Sequence, residues 1–149
     1  LGKGLGGGLP MAAVLAREPA ASALGPGTHG STFGGNPMSC AASLAICRRV
    51  LNDRFAARVE RVGIHLLEQL KQRLGGHPRV KKITGIGLMA GVELDRPGQP
   101  CVEASLARGV LINCTAERVL RLLPPLIVTE KHCRDAAATM AEALAAVGS

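Results

Sequence analysis

From residue 37 onward the apolar positions of the chain fall into regular periods, and before it they do not. Met38, Ala42, Ala45, Ile46, Val50 and Leu51 recur at three- and four-residue spacing, which predicts a helix ending near Asn52 and Asp53. Asn36 suits the N-cap, because its short side chain can accept from a first-turn amide, and Pro37 suits the first helical position, where no amide is needed. Val59, Val62, Leu66, Leu70 and Leu74 repeat the helical period, and Gly75-Gly76 supplies a stop. Past His77-Pro78 the pattern shortens: VKKITGIGLMAGVELD is rich in β-branched residues and broken by Gly85, Gly87 and Gly91, predicting strands near 80–84 and 87–94. A short helix from Val102 to Arg108 closed by Gly109, strands in VLINC and VLRLLPP, and a final Ala-rich helix over 130–147 complete the pattern. The order α-α-β-β-α-β-β-α predicts an α/β layer of helices on a small sheet.

Residues 1–37 carry no comparable period. The first ten form a glycine loop around Lys3, and Leu9, Met11, Val14 and Leu15 predict a short helix or strand ending near Pro19. GPGTHGSTFGGNP, residues 25–37, contains five glycines and two prolines, a composition that sets loop geometry and buries little.

Composition bounds the rest. The chain has 149 residues, 47% hydrophobic and 19% charged, enough for one domain with a core. Aromatics at 1%, with no Trp or Tyr, require that core to be built from Leu, Val, Ile, Ala and Met. The net charge of +7 would suit an anionic partner, but the basic residues are scattered and lack interleaved aromatics, which argues against nucleic acid. No run of about 18 apolar residues is present to span a bilayer, so no membrane association is expected. Cys40, Cys47, Cys101, Cys114 and Cys133 are odd in number and widely spaced, without a C-x-x-C pair, and are expected to be small buried thiols of a reducing compartment rather than disulfide partners or metal ligands.

The chemistry therefore concentrates in the glycine loops. Gly2, Gly4 and Gly7 match G-x-G-x-x-G, but no strand precedes them and no acid follows at the required distance; Lys3 also precedes most of the glycines, unlike a phosphate-binding P-loop lysine. Lys3 reads either as a solvated surface amine or as a Schiff-base lysine, whose chemistry needs an amine approachable by a planar cofactor. In THGSTFGGNP, the hydroxyls of Ser31 and Thr32 lie beside backbone amides freed by Gly30, Gly34 and Gly35; that reads either as an anion cradle or as an ordinary turn capped by Asn36.

KGLGGGLPMAAVL together with GTHGSTFGGNPMSCAASLA resembles the class III pyridoxal-phosphate aminotransferases, and the likeness continues in the family's order through ITGIGLMAGVEL, LARGVLINC and VLRLLPPLIVTE. The resemblance implies a fold: the small C-terminal α/β domain of the aspartate-aminotransferase-like fold type I over residues 36–149, with residues 1–35 a remnant of the large cofactor-binding domain. It implies pyridoxal 5'-phosphate as cofactor and Lys3 as its covalent anchor and as catalytic acid and base. It implies that Thr32 binds the phosphate of the cofactor seated in a neighbouring subunit, so that a homodimer shares its active sites, with Ser31 beside it touching substrate. Arg121, ahead of L-P-P-L, would grip a substrate α-carboxylate. The family's ring-stacking aromatic and the aspartate that keeps the ring nitrogen protonated are expected ahead of Leu1, so these residues alone would not transaminate.

The activity implied is transfer of the δ-amino group of N-acetylornithine to 2-oxoglutarate in the cytoplasm, with ornithine, succinylornithine and 4-aminobutyrate as alternative amines. A reading of a different class also stands at this stage: a non-catalytic module that dimerises through its helices and binds no cofactor.

Overall fold

A computed structural model of the chain describes residues 1–148. Its elements follow the predicted order: α1 (Pro37–Val50), α2 (Asp53–Leu74), β1 (Val80–Ile86), β2 (Met89–Leu94), α3 (Gln99–Leu106), β3 (Asn113–Thr115), β4 (Val119–Leu122) and α4 (Glu130–Ala146). The chain divides into two compact units, Leu1–Ala56 and Ala57–Ser149, with the boundary inside the first turn of α2.

The second unit is built on a four-stranded antiparallel sheet in the order β1-β2-β4-β3. Alternation along the strands separates its faces: Ala90, Val92 and Leu94 of β2 and Leu120 and Leu122 of β4 are buried, whereas Met89 and Arg121 are exposed. The buried face shares one core with Val62, Leu66, Leu70 and Leu74 of α2, Cys101 of α3, and Cys133, Ala137, Met140 and Leu144 of α4. Helices thus cover one side of the sheet and leave the other open.

Local chemistry explains the joints. A Cβ at Gly63 would stand 2.4 Å from the Gly87 carbonyl oxygen, so α2 crosses the β1–β2 turn at a distance only glycine permits. Thr129 caps α4 by accepting from the His132 amide while the His132 ring accepts from the Thr129 amide, a capping box with histidine in the third helical position. Arg58 on α2 donates to the carbonyls of Leu126, Ile127 and Val128, tying down the segment that leads into α4.

The first unit is organised differently. Asn36 caps α1 as predicted, its Oδ1 accepting from the Ser39 amide at 3.0 Å with Pro37 in the first turn. The stripe of α1 that becomes buried is Ser39 and Ser43, while the predicted apolar positions Met38 and Leu51 stay 70% and 80% exposed. No regular element forms between Leu9 and Pro19 in place of the predicted short helix or strand; the nearest is a 3-10 turn at Ala20–Ala23. Val14 and Leu15 are 83% and 78% exposed and Leu9 and Met11 only half-buried, so the segment gains little of the burial that stabilises a short amphipathic element. Of the cysteines, Cys101 and Cys133 are buried and Cys40, Cys47 and Cys114 half-buried; all five are free.

Candidate functional site

Lys3 opens a 3-10 turn, Lys3–Gly6, closed by Leu5 N–H to the Gly2 carbonyl and Gly7 N–H to the Gly4 carbonyl, each at 3.1 Å. Its side chain is exposed and its φ is +52°. Among the described residues only Lys3, Ala116 and Glu117 adopt the left-handed region without being glycine. That conformation costs a side-chain-bearing residue about 1–2 kcal/mol, and such strain gathers at sites where geometry serves a function. Gly4 and Gly8 have nothing within 4 Å of where a Cβ would stand, so the backbone flanking the amine is open to close approach.

The second glycine loop forms a turn in which the Gly34 amide donates to the Ser31 carbonyl at 3.3 Å. Asn36 fastens this turn to α1: its Nδ2 donates to the Phe33 carbonyl at 3.0 Å and to Ser39 Oγ at 3.1 Å. Ser31 and Thr32 are exposed, and neither hydroxyl is bonded to another described residue. An open hollow of about 770 Å³ joins the Pro10–Ala12 segment to Ser31, Phe33, the Gly34-Gly35 pair, Asn36 and Ser39. The first unit thus brings Ser31 to a concavity beside the segment that follows the lysine loop, while Lys3 and Thr32 stand outside its lining.

Arg121 lies in the second unit, on the open face of β4. Its register partners are Gly91 on β2 and Asn113 on β3. Its Nε donates to Asn113 Oδ1 at 3.3 Å. It borders a shallow hollow of about 290 Å³ with Thr84, Met89, Gly91, Thr115 and Val119 around it. Asn113 is the neighbour of Arg121 that the sequence did not reveal: it stands in a predicted strand, but only the β3–β4 pairing sets it opposite Arg121.

Elsewhere the electrostatics are local. A side-chain hydrogen bond from Arg96 holds the Asp95 carboxyl below the usual carboxylate range, and one from Lys131 does the same for Asp135. Burial pushes the Cys101 and Cys133 thiols up, away from thiolate chemistry. Among the described residues no three His, Cys, Asp or Glu side chains gather as metal ligands, and no helix is long and apolar enough to cross a membrane.

The family model for aminotransferase class III matches residues 1–144, running from the lysine loop to the last helix. The chain belongs to the class III aminotransferases. Within this aminotransferase family it is 47% identical over 129 residues to acetylornithine aminotransferase 1 of Bordetella parapertussis, covering 87% of this chain and 33% of that protein. It is 45% identical over 144 residues to the acetylornithine aminotransferase of Aquifex aeolicus, covering 97% of this chain and 36% of that protein. The fold is that of a solved ornithine aminotransferase from Toxoplasma gondii, crystallized with oxidized glutathione and partially occupied by pyridoxal phosphate at its active site: TM-score 0.86 and 37% identity over 98% of this chain and 36% of that one. The chain thus spans about a third of the length of the aminotransferases it matches.

Proposed function

We propose that these residues belong to a pyridoxal-phosphate-dependent aminotransferase that moves the δ-amino group of N2-acetylornithine to 2-oxoglutarate, giving N-acetylglutamate 5-semialdehyde and glutamate in arginine biosynthesis. The observation that carries this reading is the class III match over residues 1–144, a span that includes the glycine loop and Lys3. The acetylornithine aminotransferases at 45–47% identity support the choice of amine. The likeness to an ornithine aminotransferase keeps ornithine as the second candidate.

The residues present fit the cofactor in part. An exposed amine at a strained backbone position, with open space at Gly4, is the nucleophile an aldehyde requires, and the unbonded Thr32 hydroxyl is a donor that a phosphate ester can use. When bound, the cofactor supplies an electron sink that acidifies the carbon carrying the amine. Lys3 Nζ anchors the cofactor and afterwards carries the proton that leaves that carbon, as general base and then acid. Thr32 Oγ1 donates to the phosphate of the cofactor held by a second copy of the protein, so the working unit is a homodimer with shared sites, and Ser31 touches substrate. The Arg121 guanidinium holds a substrate carboxylate as a planar, permanently charged donor.

In family terms the reading assigns residues 1–35 to the large cofactor-binding domain and 36–149 to the small C-terminal domain. The two compact units of the structure divide elsewhere, between Ala56 and Ala57. The free cysteines suit the reducing cytoplasm.

The test is a donor panel on the complete protein: N-acetylornithine, ornithine, N-succinylornithine and 4-aminobutyrate, each with 2-oxoglutarate. N-acetylornithine is expected to give the highest kcat/KM, and Lys3→Ala to lower kcat about a thousandfold or more. A higher kcat/KM with another amine would replace the substrate, and an active Lys3→Ala protein would remove the mechanism.

A further inference from the structure

The open face of the sheet carries one row that crosses all four strands in register. Thr84 on β1 pairs with Gly91 on β2, Gly91 with Arg121 on β4, and Arg121 with Asn113 on β3. The four side-chain positions therefore lie side by side at the spacing of neighbouring strands, about 4.8 Å. The only hydrogen bond made by the Arg121 side chain to a described residue is from Nε to Asn113 Oδ1, at 3.3 Å.

We infer that Asn113 is a positioning residue for Arg121, holding its Nε so that the Nη1 and Nη2 edge is presented over Gly91 to a dicarboxylate substrate. This rests on the reading of Arg121 given above and deepens it. A guanidinium offers a carboxylate two bidentate edges, one that uses Nε and one made of both terminal nitrogens. The Asn113 amide oxygen occupies the first, and the second remains. An exposed arginine also loses much side-chain freedom when it binds, and a cross-strand hydrogen bond removes part of that cost beforehand.

Gly91 supplies the space. A Cβ there would stand 3.2 Å from Val119 Cγ1 and 3.8 Å from Thr84 Oγ1, within the hollow that Arg121 borders. Glycine at this one place in the row leaves a shallow gap, walled by the Val119 methyl, between the guanidinium on one side and the Thr84 hydroxyl on the other. A carboxylate is the group whose charge and paired oxygens match the guanidinium that borders that gap.

Asn113→Ala and Asn113→Asp separate positioning from mere structure. Asp is nearly isosteric and keeps an acceptor for Nε, so a structural role makes it the milder change. As a carboxylate fixed beside Arg121 it would instead compete with substrate. In the complete protein we expect Asn113→Ala to raise KM for 2-oxoglutarate roughly three- to tenfold with kcat within about twofold, and Asn113→Asp to raise it further. The Kd of glutarate, an unreactive dicarboxylate measured by calorimetry, should weaken in the same order. Arg121→Ala serves as the reference, with KM and Kd raised about a hundredfold. If Arg121→Ala weakens glutarate and both Asn113 variants bind it as the parent does, the Asn113 role is overturned and the Arg121 reading survives. If Asn113→Ala lowers the urea midpoint but leaves KM for 2-oxoglutarate and the Kd of glutarate unchanged, Asn113 is only structural and the inference again fails. If Arg121→Ala itself leaves glutarate binding unchanged, the Arg121 reading falls, and this one with it.

Discussion

The two units of this chain hold their shape by different means. Every large apolar side chain of the buried core, from Val62 to Leu144, belongs to the second unit. In the first, the buried positions are Gly6, Ser39 and Ser43, and Leu1, Val14, Leu15, Phe33, Met38 and Leu51 are all exposed. Yet the first unit holds Lys3, Ser31 and Thr32. Burial of apolar area dominates folding free energy, so the second unit is equipped to fold cooperatively, and the first keeps its shape by turns, by the capped helix α1 and by half-buried side chains such as Leu9, Met11 and Ile46. Open backbone and exposed donors are what a loop must offer a ligand, and both are lost when a segment is packed into a core.

The largest test of that contrast is a truncation on each side. Leu70 is fully buried, so Leu70→Ala should destabilise the second unit by about 2–5 kcal/mol, read as a lower urea midpoint. Phe33, 81% exposed in the first unit, should change stability by less than about 0.5 kcal/mol when replaced by Ala. Equal effects would mean that the two units share one core.

Gly63→Ala comes next. On helix propensity alone alanine would stabilise α2 by about 1 kcal/mol, but its methyl would stand 2.4 Å from the Gly87 oxygen, so a net loss of about 1–3 kcal/mol is expected. A stabilised Gly63→Ala protein would show that the helix and hairpin can move apart freely.

Asn36→Ala removes the α1 cap and should cost that helix about 1 kcal/mol. Hydrogen exchange should quicken at the amides of residues 38–41 while the amides of the sheet stay protected. Faster exchange throughout the sheet would contradict the division.

The smallest effect is at low pH. The Asp95 and Asp135 carboxyls lie below the usual range in the folded chain, held by Arg96 and Lys131. Their contribution is complete above the unfolded carboxylate value near 3.9 and fades as pH falls through the lower folded values. Asp135→Asn should therefore reduce stability slightly at neutral pH and flatten the acid limb of the profile below about pH 4. A steeper acid limb in the variant would reverse that sign.

Much of the fold was legible because its signals are local. Asn36-Pro37 marks the start of α1, the Val59 to Leu74 period marks α2, and glycines mark the hairpin between β1 and β2. The segment from Leu9 to Pro19 misled, since a few apolar letters imply an element only if a partner surface covers them. The left-handed turn at Ala116 and Glu117 was equally hidden, for neither residue type announces it. The candidate site divides along the same line. Lys3, Ser31 and Thr32 are named by contiguous motifs, and so is Arg121 ahead of its prolines. Asn113 and Gly91 become its neighbours only through pairing between strands distant in sequence, and no local pattern encodes that register.

The most direct test of the account is borohydride reduction of the complete protein with pyridoxal phosphate, followed by peptide mass mapping. The account predicts a pyridoxyl adduct on the peptide carrying Lys3, with Lys3→Arg losing it. An adduct confined to another lysine, or none in a folded protein, would contradict the assignment of Lys3 as the cofactor's anchor.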